Sequence, residues 1–187
     1  MLKRILLPGI LGFVVLAFWT FVMNGLFGFN ARLTMNPPPD EVAVYEMLKE
    51  RIVDGGVYIS NPQVDPDVGF PFDEPVFSIQ YSGFGHEAAG RMQLVHLAVG
   101  LVSMLLAATL LSLTSARVQS RYAYRVLFVM GLGVLLALFG DVPRMGIGGQ
   151  PIATALLFAG NRIVLWTLVG LVMAWATRGG GAVSEVT

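Results

Sequence analysis

The chain has 187 residues, 55% of them hydrophobic and 13% charged, with a mean hydropathy of +0.70 and a formal net charge of zero, a profile far from that of a soluble globular domain. It contains no cysteine, which excludes disulfides, thiol catalysis, iron–sulfur ligation and cysteine-bound zinc. Ten of the twelve acids fall between Asp40 and Glu87, whereas Lys3, Arg4, Arg117, Arg121, Arg125 and Arg178 flank apolar segments; the acidic hydrophilic stretch argues against nucleic acid as a partner, and the basic flanks set a topology.

Lys3 and Arg4 precede an uncharged run from Ile5 to Ala31, long enough to cross a bilayer and followed by no small-residue cleavage site. The spacing predicts an uncleaved first transmembrane helix over 5–31, amino end in the cytoplasm, with Pro8 in its first turns and Trp19 among phenylalanines in its outer half.

Residues 32–91 form the one large hydrophilic piece, expected outside the cytoplasm. Asn36-Pro-Pro-Pro-Asp40 makes a stiff entry to a helix that Asp40 and Glu41 start at its positive end. Val44, Leu48 and Ile52 repeat at helical spacing, and Asp54-Gly55-Gly56 stops the helix. Val57 to Ser60 reads as a short strand. Val76 to Ser82 alternates, with Phe77, Ile79 and Tyr81 on one face, and is expected to pair with it as a hairpin covered by the preceding helix. So small a unit needs support, so it is expected to rest on the membrane helices. The connecting loop carries Asp65, Asp67, Asp73 and Glu74. It lacks the distant bidentate glutamate of a calcium loop and is interrupted by prolines, which favours a solvated acidic loop over a metal site.

The second transmembrane helix is predicted over 92–116. His86 and His96, the only histidines, lie on one entry segment. A bis-histidine haem needs ligands from facing helices, and two imidazoles do not complete a zinc site, so a role in hydrogen bonding at the outer interface is favoured over either metal. Ser103 and Ala107 offer a close helix contact. Thr114 to Arg125 is a short loop with three arginines and no acid, assigned to the cytoplasm.

The third and fourth helices are predicted over 122–144 and 151–177, with a tail over 178–187 in the cytoplasm. The turn between them carries Pro143 and the glycines 146, 148 and 149. Asp141 lies sixteen residues after Arg125 and Arg162 sixteen before Arg178, so each charge rises roughly 24 Å from the cytoplasmic boundary in a helix. At that depth, just under the outer edge of a slab roughly 30 Å thick, an unpaired charge is costly. Asp141 and Arg162 are therefore expected to meet as an ion pair that pins the last hairpin. A polar pocket at the same level, or an arginine snorkelling outward, is the alternative. With Arg162 at that level, Ile152 to Gly160 would project beyond the hydrocarbon. It would then pack against the ectodomain, or the helix would slide inward.

The fold expected is mainly α, a four-helix transmembrane bundle with a small α+β extracytoplasmic insertion between helices 1 and 2. Both ends inside and one large first outer loop resembles the layout of the claudin and tetraspan group, although the tryptophan and paired-cysteine signature of that group's loop is missing. The segments Asp40 to Lys49, Gly56 to Tyr58 and Gln80 to Gly83 are similar to small bacterial membrane proteins, a resemblance that implies a bacterial inner membrane and brings no function with it.

No nucleophile with a base, no phosphate-binding glycine loop and no metal cluster is evident. The reading favoured is a non-enzymatic accessory or assembly subunit of a membrane complex, presenting an acidic periplasmic domain to other membrane or periplasmic subunits. The alternative is an outer-leaflet binding or catalytic site for a lipid or quinone-like ligand built from His96, Asp141, Arg144, Asn161 and Arg162. No cofactor is expected; the partners expected are membrane lipids and protein subunits.

Overall fold

A computed structural model describes residues 2–61, 75–81, 85–144 and 149–177. Helix α1 spans Leu2–Thr20 and continues as a π-helical stretch over Phe21–Leu26. The wider turn ends at Gly28, whose φ of 59° is left-handed backbone that glycine adopts without a Cβ penalty. The chain then turns into the short helix α2, Phe29–Thr34. The first apolar run is thus two pieces rather than one rod to Ala31, because Asn24-Gly25 and Gly28 interrupt it.

Helix α3, Glu41–Arg51, starts where Asp40 accepts a hydrogen bond from the Ala43 amide at 3.2 Å, which satisfies one of the first-turn donors. Strands β1, Gly56–Ser60, and β2, Phe77–Tyr81, pair antiparallel with Tyr58 opposite Ile79. The expectation that α3 covers this hairpin does not hold. Val44, Leu48 and Ile52 do form its less exposed face, but no residue of α3 is buried, and α3 makes no extended contact with any described element. Five-residue strands and an eleven-residue helix have too little apolar area between them to close a core.

The remaining helices are α4, Gly85–Ser112, the short α5, Ala116–Ser120, α6, Tyr122–Gly140, and α7, Ile152–Ala176. Helix α4 begins seven residues before the expected Met92. It ends at Ser112, where the Ser112 and Thr114 hydroxyls and the Gln119 amide donate to the carbonyls of Thr109 and Leu111. The arginine-rich loop therefore contains a helical turn, α5, instead of being irregular. Among the described residues four helices, those containing α1, α4, α6 and α7, are long and apolar enough to cross a membrane.

Helix α7 is central, packing along α6 on one side and α1 on the other, while α4 lies against α1 and only lightly against α6. The buried core, Met104, Ala107, Ala108 and Leu111 of α4 with Val129, Trp166, Val169 and Met173, sits in the half of the bundle away from the strands. Close approach is set by glycine. A Cβ on Gly133 would overlap the Trp166 side chain at its root, and one on Gly9 would strike Leu105 of α4, so small residues let these helices meet at backbone distance.

Burial is uneven along the bundle. From Phe13 to Val99 no residue of known burial is buried, whereas the α6–α7 hairpin is packed from Arg125 to Asp141 and from Ala155 to Ala174. In α4, Leu94 to Val99 are exposed on every face. The hairpin is thus the packed element at the strand-bearing end, where α1 is tied to α7 by Trp19 and Asn161 and Leu94 to Val99 of α4 bury no face.

Candidate functional site

The buried positions of α6 are Arg125, Val129, Gly133 and Ala137, a repeat of four that continues to Asp141 at the end of the helix and keeps one face of α6 against α7. Asp141 is 1% exposed. Arg162 Nε donates to Asp141 Oδ2 at 2.5 Å and Arg162 Nη2 to Oδ1 at 2.9 Å. Both carboxylate oxygens are occupied by one guanidinium in the two-pronged geometry that suits a planar fork. The pair is lopsided: the Arg162 side chain keeps 36% exposure while that of Asp141 keeps 1%.

Asn161, the neighbour of Arg162 on α7, faces α1. Its Oδ1 accepts from the Trp19 indole N–H at 2.9 Å, so one turn of α7 binds α6 through a charge and α1 through an amide. Trp19 was expected as an interfacial belt residue; its bond to Asn161 could not be found from spacing, because the two are 142 positions apart.

Arg144 ends a 3-10 turn, Val142–Arg144, and its Nε donates to the Gly140 carbonyl at 3.0 Å. It is exposed; its backbone amide donates to the Asp141 carbonyl at 3.3 Å, while no described contact joins its side chain to the carboxylate or to Arg162. His96 is exposed on α4, in the stretch that buries no face, and no described contact joins it to Asp141 or Arg162. Of the five residues considered for a site, the structure therefore joins Asp141 to Arg162, sets Asn161 beside them, ties Arg144 to Asp141 through the backbone with its side chain on Gly140, and leaves His96 apart. The side chain of His86 and the acids Asp65, Asp67, Asp73 and Glu74 lie outside the described residues. Among the described residues no group of three or more histidines and acids could hold a metal ion.

The turns of α7 before Arg162 extend beyond the end of α6, the difficulty posed by counting. They pack against neighbouring chain: Ala155 and Ala159 are buried, Phe158 meets Phe29 of α2 edge to face at a centroid distance of 5.6 Å, and the Gln150 amide donates to the Arg144 carbonyl at 2.8 Å. Between α2, β2 and this turn lies an open groove of about 930 Å³.

At the opposite end of the bundle, Arg125 is 6% exposed and donates through Nη1 to the Gln119 carbonyl. Read from the sequence as a residue flanking the apolar segment, it is also the first member of the buried stripe of α6. The signal was its spacing of four from Val129.

Four such helices are compatible with an integral membrane protein. No family model matches the chain, and neither a curated protein nor a solved structure is significantly similar to it.

Proposed function

We propose that this chain is a non-enzymatic accessory or assembly subunit of a membrane complex. Its acidic segment between the first two spans would lie on the periplasmic side of a bacterial inner membrane and contact a partner subunit there. The observation that carries the reading is the state of that segment. None of the described residues in 36–61 and 75–81 is buried, although α3 and the hairpin are formed. Val42, Tyr45, Met47, Val57, Ile59 and Phe77 are all exposed. Apolar side chains held out by regular secondary structure without a core are what a surface completed by another protein looks like.

A ligand site using the Asp141–Arg162 pair itself has less support, since both carboxylate oxygens already accept from Arg162 and a ligand would have to break that contact.

The absence of native cysteine makes the test direct. Single cysteines introduced as Ser60→Cys and Ser120→Cys report sidedness: a membrane-impermeant maleimide should label the first and spare the second in intact cells. A photo-crosslinker carried on Val57→Cys or Ile59→Cys, which share one face of the hairpin, should then give one discrete adduct, the same from both positions. Purification in mild detergent as a lone monodisperse monomer, with no adduct from either position, would overturn the proposal.

A further inference from the structure

The connector between α4 and α6 carries Arg117, Arg121 and Arg125, and the chain has no acid between Glu87 and Asp141. Three cations so close together repel one another unless each is compensated, and the structure treats them in two ways. Arg125 is turned into the buried face of α6 and donates to the Gln119 carbonyl. Arg117 and Arg121 stay outside: both are exposed, and neither enters an ion pair among the described residues.

Their presentation is fixed by the inner side of the same turn. Within α5, Val118 packs against the core cluster, and the Gln119 amide donates to the Leu111 carbonyl and the Thr114 hydroxyl. These two anchors leave Arg117, Ser120 and Arg121 exposed on the outer side, where the two arginines, four positions apart, are neighbours. The Arg121 guanidinium lies over the Tyr124 ring, 5.5 Å from its centroid, a contact that holds the cation in place beside an apolar layer. An irregular loop of arginines would suffice to orient a chain in a membrane. A folded turn with its cations held outward presents a surface.

A second, independent observation sets the level of that surface. The Tyr122 hydroxyl donates to the Leu171 carbonyl at 3.0 Å, which puts the start of α6 beside the last turns of α7, where Trp175 is exposed. Tyr122, Tyr124 and Trp175 thus gather at one end of the bundle, and amphipathic rings of this kind sit at the depth of lipid headgroups. The two membrane-grade helices joined by the connector end at Ser112 and begin at Tyr122, so Arg117 and Arg121 stand where the chain leaves the hydrocarbon, level with the phosphates.

We infer that the outer side of α5 is a docking surface for anionic phospholipid, with Arg117 and Arg121 drawing lipids of net negative headgroup to the end of α4 and α6. The membrane is the source of the anion, because both cations are fixed beside aromatic rings at headgroup depth and no acid of the connector competes for them. The inference rests neither on the partner reading above, which concerns the other end of the bundle, nor on which side of the membrane the connector occupies.

Ala116 is exposed at the start of α5 and the chain has no cysteine, so a photo-crosslinker carried on Ala116→Cys captures the lipid beside the two arginines. The full-length protein is placed in nanodiscs of phosphatidylglycerol and phosphatidylcholine at equal mole fractions, and mass spectrometry of the adduct gives the ratio of the two headgroups. Each exposed arginine should favour phosphatidylglycerol roughly fivefold, and the two together about thirtyfold. Arg117→Gln and Arg121→Gln should each lower the ratio roughly fivefold, and the double variant should bring it close to equality at an unchanged melting temperature. Exchanging both for lysine should keep most of the preference, which depends on charge. With both arginines present, raising the ionic strength from about 0.1 M to about 1 M should lower the ratio, because the contact is exposed to solvent. Equal capture of the two lipids with both arginines present, or a preference that survives the double glutamine variant or high salt, would overturn the inference. So would loss of the preference to millimolar inorganic phosphate at constant ionic strength, which would assign the arginines to a soluble anion.

Discussion

Replacing Arg162 by leucine should be among the most damaging single changes in this chain, and far more damaging than removing its partner. Asp141 is 1% exposed and receives both of its hydrogen bonds from the guanidinium. Without Arg162 its carboxylate stays where water cannot reach it, and breaking a buried pair in this way costs about 3–5 kcal/mol. Asp141→Leu leaves the charge on Arg162, whose side chain is already 36% exposed and can extend toward the headgroups; the cost there should be about 1–2 kcal/mol. The double variant removes the stranded charge and should be less destabilised than Arg162→Leu alone, giving a coupling of about 2 kcal/mol or more. Denaturant titration of the four proteins in mixed micelles measures the cycle. If Arg162→Leu proves no worse than Asp141→Leu, or the coupling falls below about 0.5 kcal/mol, the pair is not the pin that its burial suggests.

Gly133→Ala places a methyl group against the root of Trp166, where no rotamer change can make room, so it should destabilise by about 1–3 kcal/mol and separate α6 from α7; a melting temperature equal to wild type would contradict this packing. Trp19→Phe keeps the ring and loses the indole donor to Asn161; about 1 kcal/mol of stability should go with it, and the partial recovery expected on adding Asn161→Leu is readable in the same titration. Asp40→Ala should weaken α3 by about 1 kcal/mol through loss of its cap to Ala43. Because α3 makes no extended contact with any described element, the change should appear as faster amide exchange over 41–51 with no shift in global unfolding.

Much of the bundle was legible because hydrophobic length is a one-dimensional property. An apolar run that can satisfy its own backbone needs no tertiary partner to be helical, so the starts of α6 at Tyr122 and α7 at Ile152 could be read from Arg121 and Pro151. The helix start at Asp40 and the pairing of the two strands were equally local, set by a capping carboxylate and by alternation. The level of Asp141 with Arg162 came from counting residues from Arg125 and Arg178. What the sequence did not show is where geometry depends on a distant neighbour: the bond of Trp19 to Asn161, Arg125 inside the packed face, and α3 making no extended contact with the hairpin it was expected to cover.

By itself, the sequence determined four helices long and apolar enough to cross a membrane, the acidic segment between the first two, and the two charges that apolar surroundings oblige to find compensation. Tertiary structure alone decided which faces those spans bury. A uniformly apolar helix has no amphipathic stripe to announce its contact side, so side choice falls to close-approach positions such as Gly9 and Gly133 and to single polar bonds. For the same reason the sequence could not show that α6 and α7 stay packed along their length while Leu94 to Val99 of α4 bury no face, or that Arg144 and Gln150 line one groove.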